Sequence, residues 1–435
     1  MLDVADKLLD QSIARARRRL LPFLLLMYIV SVLDRANIGF AKQALQSSRG
    51  ISEAAYALGA GLFFCTYSLF EIPSNLILHK VGAKIWLSRI MISWGLISAA
   101  TMFVTGDTSF YCLRLLLGAA EAGFFPGVIL YLTYWFPNKT RGEILGLFYF
   151  GAPLSFILGS PLSGLLIEMR PWFGLAGWQW MFCIEGLCAV AVGAAAYWYL
   201  DDRPTGARWL PEQEKQVLLA RLSAEESERR MQGPSSSFKS FKDPRVLYFA
   251  VVYFLIQAGI YGVIFYLPTE VASILGKKVG LEVGLVSSIP WTCAIGVTFW
   301  LSRIADRYRN YRMLASLGLA VSSCAILLAP VSGPAVALLT LCVSASGYIA
   351  IQPLFWTFPT GYLSGASAAA AIALINAFGN LGGFVLPNVK VWAEARFGSP
   401  FAGAAALASM TFLGALLIAC MRTPKATSIP AASSR

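Results

Sequence analysis

Charge is what this sequence has least of. Only 13% of its 435 residues are Asp, Glu, Lys or Arg, about half the share of an ordinary soluble domain. A chain this long could bury a core in water, but it would still need a charged exterior. Mean hydropathy is +0.64 and 57% of the residues are hydrophobic, so the exterior it is built for is lipid. Histidine is nearly missing, with His79 standing alone. The eight cysteines lie in apolar stretches and no CxxC occurs, which argues against a zinc site and against a disulfide scaffold. No metal-ligand set and no nucleophile–base pairing accompanies the few charges, so neither an enzyme nor a bound cofactor is expected.

What the sequence does have is apolar runs of about 20 residues, the length that crosses a bilayer. Twelve recur, near 20–41, 56–78, 85–104, 110–134, 143–167, 178–200, 246–268, 282–302, 313–332, 336–359, 367–388 and 402–421. The glycines and prolines inside them are tolerable in membrane helices. A basic stretch, ARARRR, precedes the first run. That run leads into Asp34 and Arg35 instead of a small-residue cleavage site, so it reads as a retained span and not as a signal peptide. The large polar interruption at 201–245 separates six spans from six. The expected class is an all-α integral membrane protein of twelve transmembrane helices. Its parts are a cytoplasmic N-terminus (1–19), an N-terminal six-helix bundle (20–200), a cytoplasmic linker (201–245), a C-terminal six-helix bundle (246–421) and a cytoplasmic tail (422–435). Within the linker, PEQEKQVLLARLSAEESERR has the spacing of a short amphipathic helix, and QGPSSSF reads as flexible.

With both termini placed inside, 26 of the 35 Lys and Arg residues fall in inner segments, 7 in outer ones, and two, Arg35 and Arg114, within spans. That is a strong positive-inside bias, and it predicts a multi-pass membrane protein with cytoplasmic termini. The net charge of +12 then faces anionic lipid, and nucleic acid is not an expected partner. A monomer is expected.

Ionisable groups inside spans are costly and usually face a bundle interior or a water-filled path. The candidates are Asp34, Arg35, Glu71, Arg114, Glu121 and Glu185. In RLLLGAAEAGFFPG, Arg114 and Glu121 are seven residues apart and share a helix face, with Gly118, Ala119, Ala122 and Gly123 permitting close helix approach. In VLDRANIGF, Asp34 and Arg35 differ by about 100° around the helix and cannot point the same way. Both bases are arginines, whose planar fork suits a carboxylate. An acid stripped of water in a span can load and release a proton near neutrality. The reading is an anion site at Arg35 and Arg114 with proton carriers at Asp34 and Glu121, against the plainer alternative of a structural ion-pair network. Asp34 could carry a proton or simply hold Arg35 in place.

The second half offers neutral polar groups instead: Gln257 and Tyr261 in FLIQAGIYG, Gln352, Trp356 and Thr357 in QPLFWTFP, and Asn376 and Asn380 in INAFGNLGG. Together with Tyr67 these could hold hydroxyl or ring atoms of a solute, or they could be helix-packing groups. Phe355 and Trp356 lean the reading toward a cyclic acid. The basic loops NLILHKVGAKIWLSR and WLSRIADRYRNYR occupy equivalent places in the two halves, and Asp306 and Arg307 in the second are candidate gating residues.

The stretches LDRANIGFA, LFEIPSNLILHKVGA, FYCLRLLLGAAEAGFFPGVILYLTYWFP and FPTGYLSGASAAAAIALINAFGNLGGFVLP resemble, at matching places over nearly the whole chain, the anion:cation symporters of the major facilitator superfamily. The resemblance implies a major facilitator fold and alternating access between two halves. It also implies H+ as coupling ion and a small organic carboxylate as cargo, such as tartrate, a sugar acid or an aromatic or heteroaromatic acid. It places protonation on Asp34 and Glu121 and substrate anchoring on Arg35 and Arg114, with Tyr67 and Asn376 as further contacts. His79 departs from the general superfamily loop, which has Asp there, but fits the SNLxLHxxGA form of this family. Export or exchange on the same fold is the alternative function.

Overall fold

The computed structural model describes residues 2–231, 243–362 and 366–421. Among them twelve helices are long and apolar enough to cross a membrane, as the apolar runs predict. Spans 1–6 are Asp6–Arg49, Glu53–Val81, Ala83–Phe103, Asp107–Trp135, Asn138–Ile167 and Gly177–Tyr199. Spans 7–12 are Pro244–Leu275, Leu281–Ala305, Tyr311–Val331, Pro334–Thr360, Ala371–Phe397 and Pro400–Cys420. The two faces of the bundle are called here the linker face, which carries residues 201–231, and the far face. Large apolar side chains cover the outside, Leu69, Trp198, Trp300 and Leu339 among them, as a lipid-facing surface requires.

The first helix begins at Leu2, well before the membrane segment, so residues 2–19 are its continuation and not a separate terminus. Its basic turns find partners on the linker face: Arg15 pairs with Glu214 at 3.0 Å and Arg17 with Glu143 at 2.8 Å. The linker helix, Glu212–Met231, forms where the amphipathic pattern predicts one, and it docks on the N-terminal half. Glu225 accepts from the Asn138 backbone N–H at 3.0 Å, satisfying a free donor at the start of span 5. Trp209 donates to Asp201 at 2.8 Å and stacks on Trp135.

Span 4 departs from the expected continuous helix. It is built of Asp107–Glu121 and Phe124–Trp135, and the break falls directly after Glu121. Gly123 sits at φ +86°, where a side chain is strained, and a Cβ there would run into Ser74. The small residues do bring spans 2 and 4 together: a Cβ on Gly118 would collide with the Phe63 carbonyl and with Thr66, whose hydroxyl donates to Leu115 O at 2.8 Å.

Toward the far face the two halves close on each other without space for side chains. Gly39 of span 1 abuts the carbonyls of Ile264 and Phe265 in span 7. Gly164 of span 5 meets Gly280 at the start of span 8, and Gly284 meets Ser160. Toward the linker face spans 2 and 11 carry the contact, with Ser68 donating to Ala377 O at 3.0 Å and Asn376 to Glu71 at 2.9 Å.

Candidate functional site

Arg35 is the centre of the site, midway along span 1. Its Nε (3.2 Å) and Nη2 both donate to Oε1 of Glu121, and Ser31, one turn back on the same face, donates to the same oxygen at 2.9 Å. Both side chains are largely buried, Arg35 16% and Glu121 2% exposed. Glu121 is the last residue of its helix half, where backbone carbonyls leave partial negative charge. The guanidinium therefore offsets a carboxylate and a helix end together. Its Nη1 reaches across to the other half, to the Tyr261 hydroxyl at 3.5 Å. Of five N–H donors, two remain uncommitted among the described residues.

Span 2 lines this arginine with rings. Arg35 lies 5.0 Å from the Tyr67 ring centroid and 5.5 Å from that of Phe63. Arg114 lies 4.9 Å from the same Phe63 ring, so two guanidinium groups share one aromatic side chain. Arg114 is buried, and its Nε and Nη2 donate to the carbonyls of Gly59 and Ala60, each at 3.3 Å. The structure thus brings Arg114 beside the Arg35 site, with two of its five N–H donors committed to span 2 backbone.

Asp34 faces the other way. Its carboxylate accepts from Trp94 Nε1 at 2.7 Å, Ser98 Oγ at 2.9 Å and Asn37 Nδ2 at 3.3 Å, all within the N-terminal half. It makes no bond to Arg35 among the described residues, so the idea that Asp34 holds Arg35 in place finds no contact to rest on.

The C-terminal half contributes a neutral cluster. Tyr261 donates to Asn380 Oδ1 at 3.3 Å and Gln257 Nε2 to the same oxygen at 3.4 Å; Phe64 of span 2 packs on the Tyr261 ring at 4.3 Å. On span 11, therefore, it is Asn380 that joins the Arg35 site, while Asn376, one turn toward the linker face, bonds to Glu71. Trp356 stands toward the linker face from this cluster, edge-on to Tyr253 at 4.9 Å, and its indole N–H lies beside Tyr253 without a full hydrogen bond among the described residues. Arg307 lies over the Tyr308 ring at the linker end of span 8, away from the site; the side chain of Asp306 lies outside the described residues.

Sequence reasoning passed over Ser31, Phe63 and Phe64. Ser31 was findable, since it stands one turn from Arg35 on the same face. The two phenylalanines carried no signal that distinguishes a ring under an arginine from one facing lipid. No cluster of His, Cys, Asp and Glu that could hold a metal occurs among the described residues.

A buried charge pair at the meeting of two six-helix halves, closed on one face, defines a secondary transporter that works by alternating access. Residues 24–387 match the profile of the Major Facilitator Superfamily, and the chain belongs to that family; it is a transporter and not an enzyme. It is 44% identical over 419 residues to "Inner membrane transport protein RhmT" of Escherichia coli K12, covering 96% of this chain and 97% of that one. It is 42% identical over 415 residues to a protein of Agrobacterium vitis named "Putative tartrate transporter", covering 94% and 91%. A "Quinolone resistance transporter" of Acinetobacter baumannii is 41% identical over 370 residues, with 85% of each chain covered.

Proposed function

We propose that the protein imports an organic carboxylate together with H+ across the bacterial inner membrane, as a monomer with cytoplasmic termini and without a cofactor. The observation that carries this reading is the Arg35–Glu121 pair, which is buried and reaches Tyr261 of the opposite half. A substrate carboxylate and Glu121 compete for one guanidinium. Protonating Glu121 removes its claim on Arg35, and the anion takes its place; when the anion leaves toward the linker face, Glu121 loses its proton and pairs with Arg35 again. Coupling follows from this exchange without any further device. Arg114, over the same Phe63 ring, supplies the second positive charge, and Tyr67 borders the bound anion.

Gln257, Tyr261 and Asn380 offer donors and acceptors together, which suits the hydroxyl groups of a hydroxy acid. The likeness to the Agrobacterium protein supports tartrate as the first compound to test. The test is uptake of labelled tartrate and related hydroxy acids into proteoliposomes with and without an inward proton gradient. Gradient-driven accumulation with alkalinisation outside is expected; uptake indifferent to the gradient would overturn proton coupling. The likeness to the quinolone resistance transporter favours a second reading, export on the same fold, in which the gradient empties preloaded vesicles instead of filling them.

A further inference from the structure

Glu185 of span 6 takes no part in the mechanism above, yet it is one of the most deeply buried charges in the molecule, 1% exposed, with Asp34 2% exposed close by. We propose that Glu185 and Asp34 form a second protonation site, a pair of carboxyl groups on either side of Asn37 that holds one proton inside the N-terminal half. The proposal rests on the proton-coupled reading and adds a site to it.

The bonding of the two acids is unequal. Asp34 receives three neutral donors, from Trp94, Ser98 and Asn37, as an ionised carboxylate requires. Glu185 receives one full hydrogen bond, from Ser163 Oγ to Oε1 at 2.7 Å, while its buried Oε2 makes none and has the Asn37 amide beside the carboxyl as its remaining polar neighbour. An oxygen so poorly supplied with donors is a fault in a carboxylate, whereas as the O–H of a carboxylic acid it can donate to the Asn37 side-chain oxygen. Asn37 donates to Asp34 and borders Glu185 as well. An amide carries donors and an acceptor, so it can meet Glu185 with or without its proton.

The titratable groups facing Asp34 are Glu121 of span 4 and, from span 6, Glu185 and Cys188. Glu185 faces Asp34 and Cys188. No arginine, lysine or histidine bonds to either acid among the described residues. Two carboxylates in such a place cannot both remain charged. The site also has a route to the substrate: Asp34 and Arg35 are consecutive on one turn of span 1. When Arg35 exchanges Glu121 for an anion, any adjustment of that turn reaches the Asp34 carboxylate and the proton beside it. Spans 1, 3, 5 and 6 all contribute to the pair through Asp34 and Asn37, Trp94 and Ser98, Ser163, and Glu185, so the proton is placed where these helices meet.

Infrared absorption of the full-length protein in lipid vesicles tests the assignment without any substrate. At neutral pH the spectrum should contain a protonated-carboxyl band from this pair. E185Q is expected to abolish it, and N37A, which keeps both acids and removes the bridge, is expected to shift it. An E185Q spectrum that retains every protonated-carboxyl band of the parent would overturn the proposal, as would an N37A spectrum with the band unmoved. Should E185Q not fold, N37A alone decides. The two readings fail separately. Proton-driven tartrate uptake with an unchanged E185Q spectrum would remove only the second site. Loss of the band in E185Q from a protein that moves no carboxylate with protons would leave the pair standing and remove the function.

Discussion

The two halves of this transporter share an architecture and divide the chemistry. Asp34, Arg35, Glu71, Arg114, Glu121 and Glu185, the charges deep within spans, all belong to the N-terminal half. The C-terminal half meets Arg35 through Tyr261, backed by Asn380 and Gln257, none of them a charged residue type. A charge-assisted bond lost from a buried site costs roughly 2–5 kcal/mol, because the abandoned partner stays buried. A neutral hydrogen bond contributes about 0.5–1.5 kcal/mol net. For the proposed carboxylate import, the difference predicts that one half decides whether the anion is carried at all, and the other adjusts which anion and how tightly.

The severest test of this division is R35A. It strands Glu121 at a helix end with Ser31 as its remaining donor, so tartrate uptake and tartrate counterflow should both fall more than about 100-fold, as a loss of some 3 kcal/mol demands. R35K should recover little, since an ammonium cannot hold Glu121 and reach Tyr261 with one planar group. Counterflow in R35A within tenfold of the parent would place the anion elsewhere. R114A should also stop uptake. Because Arg114 is bonded to the Gly59 and Ala60 carbonyls, its loss should lower the melting temperature in detergent as well. An R114A protein with parental uptake would restrict Arg114 to a structural role.

E121Q strikes one function and spares another. The glutamine has no charge with which to hold Arg35 and no proton to exchange, so accumulation driven by a proton gradient should be lost. Counterflow, which needs substrate exchange alone, should stay within about tenfold. Equal loss in the two assays would make Glu121 part of the anion site instead of its proton carrier.

The fold was legible because lipid imposes a length on every span and a sign on every loop. Residues 24–387 match the superfamily that the quoted stretches resemble, and the twelve helices fall on the twelve apolar runs. The site was legible in kind: two adjacent charges on one helix must diverge by about 100°, and in the structure Arg35 turns to Glu121 and Asp34 to Trp94 and Ser98. Periodicity could not say which neighbour each would meet. The break after Glu121 was hidden because Gly118, Ala119, Ala122 and Gly123 read equally as a close-packing stripe, and they are one. The exchange of roles between Asn376 and Asn380 was hidden for a similar reason. They lie one turn apart on the same face, so only the height at which Tyr261 crosses span 11 decides which amide joins the arginine.

The C-terminal half should answer with smaller numbers. N380A and Q257A are each expected to raise the KM for tartrate about 2- to 10-fold with little change in kcat, the range one neutral hydrogen bond covers. A loss as large as that of R35A would erase the contrast between the halves.

Trp356 offers the finest distinction. Its indole N–H is buried beside Tyr253 and makes no full hydrogen bond among the described residues, a state native proteins seldom leave uncorrected. A substrate hydroxyl or carboxylate oxygen would correct it during transport. W356F keeps a ring against Tyr253 and Phe355 and deletes only the donor. If the N–H meets the solute, W356F should raise KM about 2- to 5-fold for acids that carry a hydroxyl, at unchanged melting temperature. A KM equal to the parent's would leave Trp356 a packing residue, and substrate selection in this half would then rest on Gln257, Tyr261 and Asn380.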